Sequence, residues 1–211
     1  IPYTLGKKDE VQSKLVCCYS TLEEVKERGL ADLQYEQISM VLGNQTITGL
    51  LYILKHARHV DWFNFYHGGR HTYYWCKLYK FLNPKGKVYL KLDLSYDGCR
   101  KYSSNAKEMR IFEKSAGIAD IVSVESEKIK GLAEEFTTKN LIIVPNGYIG
   151  VATNEKKEQP VRKKQFITVG RLGTYEKATD VLLEAFAQSS KEHDWSLKLV
   201  GSIEPSFLPQ K

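Results

Sequence analysis

Short apolar runs alternate with amphipathic stretches along most of the chain, and this alternation predicts strands and helices in turn. Runs such as VYLKLDL at 88–94 and LIIV at 141–144 have the length of strands. Between such runs, apolar residues recur at the spacing of a helix face. The pattern predicts strands at 15–19, 33–41, 60–66, 88–94, 121–124 and 141–144, and helices at 21–28, 48–58, 72–82, 106–116 and 127–136.

Strands separated by helices of about ten residues favour a Rossmann-like α/β fold, a mostly parallel sheet with helices on both faces. Residues 151–165 (VATNEKKEQPVRKKQ) have no apolar periodicity, and a new strand begins at 166. We therefore expect a Rossmann-like domain over 1–150, a linker over 151–165 and the start of a second Rossmann-like domain over 166–211.

The second domain contains one strand–helix–strand unit, which is too small to bury both faces of its strands. Residues 1–6 also lack the apolar strand with which such a sheet normally opens. The sequence therefore predicts a chain truncated at both ends. Residues 166–211 are expected to pack on the first domain, on another chain in an oligomer or on further residues.

Composition narrows the class of protein. The chain has 211 residues, of which 42% are apolar and 27% charged, as in ordinary globular proteins. No apolar run approaches the roughly 18 residues of a membrane span, and no secretory signal opens the chain. The four cysteines have no metal-binding spacing. These features favour a cytoplasmic protein, and the net charge of +6 leaves open a solvated basic surface or one that binds anions.

The stretch FITVGRLGTYEKATDVLLEAF at 166–186 combines a strand, a small polar loop and an amphipathic helix. Ligands of parallel sheets bind at the carboxyl ends of the strands, where this loop lies. Gly170 and Gly173 allow the backbone to approach a ligand, while Arg171 and Lys177 supply two cations beside a helix N-terminus. This arrangement suits a diphosphate, although a turn with solvated charges has the same pattern.

The run VPNG, the charged linker, GRLGTYEK with the following LLEAF, and WSLKLVGSIE together resemble the retaining glycosyltransferases of the GT-B fold, of the family 4 type. The resemblance implies that Arg171 and Lys177, with Gly170 and Gly173, bind the diphosphate of a nucleotide-sugar donor. It implies an enzyme of bacterial type that needs no metal or other cofactor and moves a sugar to a polysaccharide, glycolipid or surface-polymer acceptor. The family's pair of donor-site glutamates has no counterpart before Lys211, so the chain itself is expected to bind a donor weakly and not to turn over.

Residues of the first domain are expected to contact the sugar and the acceptor. The family often has a histidine near the position of Asp93, where this chain departs from the family. Asp93 and His67 lie at the ends of predicted strands, and we expect both to have a catalytic role. A helix cap or turn role for Asp93 stays open. Gly6, Lys7 and Lys8 resemble a loop that acceptors approach, with solvated terminal charges as the alternative. We expect no metal site, because loop glycines separate His67 from the next histidine.

Two other functions stay open. The chain could be a non-catalytic module that recognises an acceptor, or part of a GT-B-fold epimerase or phosphorylase. The partners expected for the transferase are the donor and the carbohydrate or glycolipid acceptor, with peripheral contact to the inner face of the membrane as a further option. Nucleic acid is not expected.

Overall fold

The computed structural model describes residues 11–18, 33–147, 162–189 and 193–207. The chain divides into two compact units, Ile1–Tyr148 and Ile149–Lys211. The described elements of the first unit are, in chain order, β1 (Lys14–Cys17), β2 (Gln34–Gln37), α1 (Gln45–His56), β3 (Trp62–Tyr66), α2 (Arg70–Leu82), β4 (Lys87–Lys91), α3 (Tyr96–Ser104), α4 (Ala106–Ile118), β5 (Ile121–Val124), α5 (Glu127–Ala133) and β6 (Ile142–Ile143).

The main sheet of the first unit contains four parallel strands in the order β3–β4–β5–β6. A helix connects each strand to the next, as parallel pairing requires. Strands β1 and β2 form a parallel pair of their own. The structure thus confirms the predicted fold class, a Rossmann-like α/β fold with a parallel sheet flanked by helices.

The core of the first unit follows from the pleat of the strands, since alternate residues face opposite sides of a sheet. Phe65, Leu90 and Val122 are paired across three strands and share one apolar face. The buried side chains of the helices pack against this face, among them Ile53, Cys76, Tyr79, Phe112, Ala116 and Ala133. The other positions of the strands carry polar residues, including Asn64, Tyr66, Tyr89, Lys91 and Ser123.

Asp120 joins the start of β4 to the helix before it. Its carboxylate accepts hydrogen bonds from Lys80 Nζ at 2.6 Å, from the Val88 N–H at 2.8 Å and from Lys87 Nζ at 3.1 Å. Partial burial opposes ionisation of the carboxyl, but the hydrogen bonds outweigh it and lower the pKa of Asp120 to about 2. The first unit therefore contains a carboxylate that the fold holds in its ionised form.

The second unit is a parallel pair, β7 (Gln165–Val169) and β8 (Ser196–Val200), with helix α6 (Thr179–Ser189) between the two strands in the chain. The ring of Phe166 lies 4.9 Å from that of Trp195 and 6.2 Å from that of Phe186. Even so, Phe166 is 55% exposed and Val169 71% exposed. The described part of this unit therefore leaves much of its apolar strand surface uncovered.

Several predicted boundaries were wrong, and one helix was missed. The strand predicted at 33–41 ends at Gln37, where its pairing with β1 ends, and the backbone then turns at Val41–Gly43, where Leu42 has φ of 51°. The helix predicted at 127–136 ends at Ala133. Helix α3 was not predicted, because Gly98 and its serines weaken the apolar pattern. The predicted helix at 21–28 and most of the linker lie outside the described residues.

Candidate functional site

The loop after β7 is held by contacts in its middle. The Thr179 hydroxyl, buried at the start of α6, accepts a hydrogen bond from the Gly173 N–H at 2.9 Å. Leu172 is buried and forms a parallel bridge to Ile203, with its N–H 2.8 Å from the Ser202 carbonyl oxygen. These contacts fix the backbone on either side of the exposed residues. Thr179 therefore ties the start of α6 back to the loop.

Glycines permit two close approaches of the backbone, one in this loop and one just after β8. Gly173 has φ of 82°, and a Cβ there would lie 2.3 Å from Phe207 Cβ. Gly201, just after β8, has φ of 141°, and a Cβ there would lie 1.8 Å from the Gly170 carbonyl oxygen. The two strand ends therefore approach each other more closely than side chains would allow.

Lys177 folds back over the end of β7. A Cβ built on Gly170 would lie 3.2 Å from Lys177 Cε and 3.4 Å from Lys177 Cδ, so the aliphatic part of the lysine lies across the glycine. Lys177 is the last residue of a short 3₁₀ turn, Tyr175–Lys177, and Ala178 at φ of 44° redirects the chain into α6. The structure thereby places the lysine side chain beside the residue that precedes Arg171.

Both cations of the loop are exposed and lack a carboxylate partner within 4.0 Å in the described part of the chain. The charges of both cations affect the ionisation of the nearby Glu176. Its pKa is lowered first by a hydrogen bond from its own N–H, then by one from the Thr174 side chain, with the charges of Arg171 and Lys177 adding to the effect. Arg171 and Lys177 are thus accessible to an anionic ligand, with the carboxylate of Glu176 as a negative charge beside them.

His67 lies directly after β3 in a strained turn. It has φ of 62°, its N–H donates to the Lys91 carbonyl oxygen at 3.1 Å, and its own carbonyl accepts from the Thr72 hydroxyl at 2.8 Å. The next residue, Gly68, is buried, and a Cβ there would lie 2.5 Å from the Phe112 ring. The turn is therefore fixed by its surroundings while the imidazole of His67 stays exposed.

Asp93 lies two residues beyond the end of the neighbouring strand, β4. It is exposed between Leu92 and Leu94, which are buried, so it faces away from the core. It does not cap the following helix, because the side chain of Ser95 does so by accepting from the Gly98 N–H at 3.0 Å. The charge of Asp93 also contributes to the raised pKa of Tyr66, which burial raises first. Asp93 is therefore close to the end of β3, where His67 lies.

Sequence reasoning missed a polar cluster at the same edge of the sheet, formed by Lys91, Glu125 and Asn146. Lys91 Nζ donates to Asn146 Oδ1 at 2.8 Å and lies 3.7 Å from Glu125 Oε1. Asn146 Nδ2 donates to Glu125 Oε1 at 2.5 Å. The three residues lie at the ends of β4, β5 and β6, and polar residues after consecutive apolar strands are the signal that could have revealed the cluster.

The remaining predictions concern the acceptor loop, a metal site and a membrane span. Gly6, Lys7 and Lys8 lie outside the described residues. His71 Nδ1 is hydrogen-bonded to the Thr46 hydroxyl, and the described residues contain no group of three or more His, Cys, Asp or Glu that could hold a metal. The described helices include none that is both long and apolar enough to cross a membrane.

No family model matches the chain, and no curated protein does. The class defined by the structure is that of parallel α/β proteins of the Rossmann-like type. The function is therefore inferred from the residues at the carboxyl ends of β3 and β4 and from the loop after β7.

Proposed function

We propose that the chain belongs to a glycosyltransferase that uses a nucleotide-sugar donor, with the loop after β7 as its diphosphate site. The observation that carries the proposal is the position of Lys177. Its side chain crosses Gly170 next to Arg171, and neither cation has an ion-pair partner in the described residues. Unpaired cations beside a close backbone approach are the groups that a diphosphate requires.

The proposed chemistry follows from the charge that develops in the reaction. When the bond between the sugar and the diphosphate breaks, negative charge grows on the departing phosphate oxygen. Cations fixed in advance stabilise that charge and lower the barrier, each typically by about 2–4 kcal/mol. In this proposal the guanidinium of Arg171 binds two oxygens, and the ammonium of Lys177 acts as a point charge.

The first unit would contribute polar groups to the sugar or the acceptor. The exposed carboxylate of Asp93 can accept hydrogen bonds from sugar hydroxyls, and the exposed imidazole of His67 can donate or accept them. Both lie at carboxyl ends of parallel strands, the usual position of ligands in this class. We assign both residues to sugar or acceptor binding in this proposal.

The test is calorimetric titration of the chain with nucleoside diphosphates and the matching monophosphates. We expect the diphosphates to bind at least about tenfold more tightly, since charge-assisted hydrogen bonds to the second phosphate are strong. Arg171→Ala and Lys177→Ala should each abolish most of this difference, whereas Arg171→Lys should restore part of it.

Arg162→Ala and Lys163→Ala are matched controls, since both residues are exposed cations before β7, at the opposite end of the strand. They should bind diphosphates as the wild type does. Equal affinity for mono- and diphosphates, or wild-type binding in both loop variants, would refute the proposed site. Release of nucleoside diphosphate from a panel of sugar nucleotides would add evidence of turnover to that of binding.

A further inference from the structure

The main sheet of the first unit has one face against which the described helices do not pack. Its strands follow one another in the order β3–β4–β5–β6, and right-handed connections made in one direction place all connecting helices on the same side of a sheet. The buried side chains of the five described helices accordingly form one cluster with Leu90 and Val122. The alternate residues of the strands lie on the opposite face, and we call four of them, on β3 and β4, the aromatic surface: Trp62, Asn64, Tyr66 and Tyr89.

The aromatic surface presents rings to solvent. Trp62 is 52% exposed and Tyr66 is 45% exposed, although both belong to a strand of the main sheet. They are separated by about 13 Å along β3, at about 3.3 Å per residue. Tyr89 pairs with Asn64, so it is level with the midpoint between the two rings on the neighbouring strand. The three rings therefore follow one another along the same face of the sheet.

Polar groups lie between these rings. The Tyr89 hydroxyl is hydrogen-bonded to the Ser123 hydroxyl at 2.7 Å. Tyr89, Asn64 and Asp93 lie close enough to the Tyr66 hydroxyl to influence its pKa, which partial burial raises first. The Asn64 carboxamide oxygen is buried and has no hydrogen-bond partner in the described part of the chain. Because the residue as a whole is partly exposed, a small rotation of the carboxamide would offer this acceptor to a ligand.

The aromatic surface has no cation available to an anionic ligand among the residues of its two strands. Strand β3 contains no charged residue. The two lysines of β4, Lys87 and Lys91, each have a carboxylate partner, at 3.1 and 3.7 Å. Asp61 before β3 and Asp93 after β4 are exposed and add negative charge at the two ends of the surface. This arrangement disfavours an anion and suits an uncharged ligand.

We propose that the aromatic surface binds an uncharged chain of linked sugars. The C–H groups of a sugar pack on aromatic rings, and its hydroxyls exchange hydrogen bonds with amide and phenol groups. The row of rings is longer than a single sugar, so a chain should bind more tightly than a monosaccharide. Binding there is independent of the proposed diphosphate site, because the aromatic surface contains no residue of the second unit.

Charge favours an uncharged sugar chain over the other occupants. A nucleic acid needs cations that are free to bind its phosphates, and the lysines of β4 are already paired. A second copy of the chain would bring the carboxylates of Asp61 and Asp93 from both copies into one interface, where like charges are unfavourable. A neutral sugar chain instead matches the aromatic rings and the polar groups without a charge of its own.

The experiment is calorimetric titration of the chain with cellohexaose, mannohexaose, xylohexaose and maltohexaose, each compared with its monosaccharide. We expect at least one of these neutral hexamers to bind at least about tenfold more tightly than its monosaccharide, because it contacts more rings. The anionic hexamer of galacturonic acid should not bind. Trp62→Ala and Tyr66→Ala should each weaken binding of the hexamer about fivefold, since aromatic contacts contribute about that factor.

Tryptophan fluorescence gives a second readout. Trp75 donates a hydrogen bond to the Thr46 carbonyl oxygen in the contact between α1 and α2, and Trp195 lies in the second unit. A fluorescence change on adding the hexamer should therefore come from Trp62. Trp62→Phe keeps a ring and should bind more tightly than Trp62→Ala, but it should lose the fluorescence change.

Tyr74→Ala and Trp195→Ala are the matched controls, since these rings are 47% and 40% exposed, on α2 and in the second unit. Both should bind the hexamer as the wild type does, and circular dichroism checks that each variant folds. No binding of any neutral hexamer, equal affinity for hexamer and monosaccharide, or equal losses in the controls would overturn the proposal. So would dimers in light scattering that Trp62→Ala abolishes, because they would assign the aromatic surface to a second copy.

Discussion

The two strand-end regions of the molecule use their charges in opposite ways. In the first unit, the buried Lys91 is satisfied by Glu125 and Asn146. In the second unit, the exposed Arg171 and Lys177 have no carboxylate partner in the described residues. Charges paired at the end of a strand serve the fold, whereas unpaired ones are available to a ligand. A position at the end of a strand is therefore not enough to assign a function to a charged residue, and it also matters whether the charge has a partner.

Burial differs between the units in the same way. The strands of the first unit contribute Val88, Leu90 and Val124, which are fully or almost fully buried. Those of the second unit leave Phe166 and Val169 more than half exposed. We therefore expect mutations to affect stability mainly in the first unit and ligand binding mainly in the second.

The largest expected difference is between two matched phenylalanine truncations. Phe112 is fully buried between Phe136 and Tyr102, whereas Phe166 is 55% exposed and has ring contacts to Trp195 and Phe186. Phe112→Ala should cost about 3–5 kcal/mol through lost burial and a cavity. Phe166→Ala should cost about 1 kcal/mol. Hydrogen exchange of amides in β4 and in β7 measures the two units separately, and equal losses would contradict the comparison.

The next prediction concerns two lysines. Lys91→Ala removes the cation beside Glu125 and leaves a carboxylate that is only partly exposed, at a cost of about 3 kcal/mol. Lys177→Ala should change the free energy of unfolding by no more than about 0.5 kcal/mol, because its ammonium has no described partner. Urea denaturation of the two variants provides the measurement. A Lys177 variant as unstable as the Lys91 variant would show that both lysines are structural.

Much of the fold could be predicted from the sequence, because it depends on local apolar patterns. The strand at 121–124 was predicted with its observed bounds, because the run IVSV lies between the charged residues Asp120 and Glu125. The strand predicted at 88–94 ends instead at Lys91, although buried apolar side chains continue at every second position to Leu94. Apolar alternation predicts which way the side chains face, whereas strand β4 ends where its pairing with β3 and β5 ends.

The candidate site was only half predictable. Gly170, Arg171, Gly173 and Lys177 lie within eight residues, so one local motif brought them together in the sequence. The cluster around Lys91 joins residues from three strand ends, and it depends on the order of the strands in the sheet. Hydrophobic periodicity contains no information on that order, so periodicity alone could not show which of the polar residues at the strand ends contact Lys91.

A pH dependence is expected of the first unit through Asp120. Its pKa in the folded chain is about 2, below the ordinary value of 3.8, so its ionised form stabilises the fold above pH 3.8. That stability is lost as pH falls from about 4 to 2 and amounts to about 1 kcal/mol, since the carboxylate is partly exposed and screened. Urea midpoints between pH 5 and 2 should therefore fall less steeply for Asp120→Asn than for the wild type. Parallel pH profiles would show that these hydrogen bonds add no net stability.

The smallest effects should come from two glycine-to-alanine changes, which separate stability from binding. Gly117 lies in helix α4, where a Cβ would meet no atom within 4 Å, so Gly117→Ala should stabilise the first unit by about 0.5–1 kcal/mol through helix propensity alone.

Gly170→Ala introduces a Cβ 3.2 Å from Lys177 Cε, a contact that the flexible lysine relieves by moving a few tenths of an ångström. Stability should then stay within about 0.5 kcal/mol of the wild type. The displaced ammonium should nevertheless weaken nucleoside diphosphate binding severalfold, and calorimetry measures this loss. If Gly170→Ala binds diphosphates as the wild type does while Lys177→Ala does not, the lysine acts from another position, and its place across Gly170 has no part in binding.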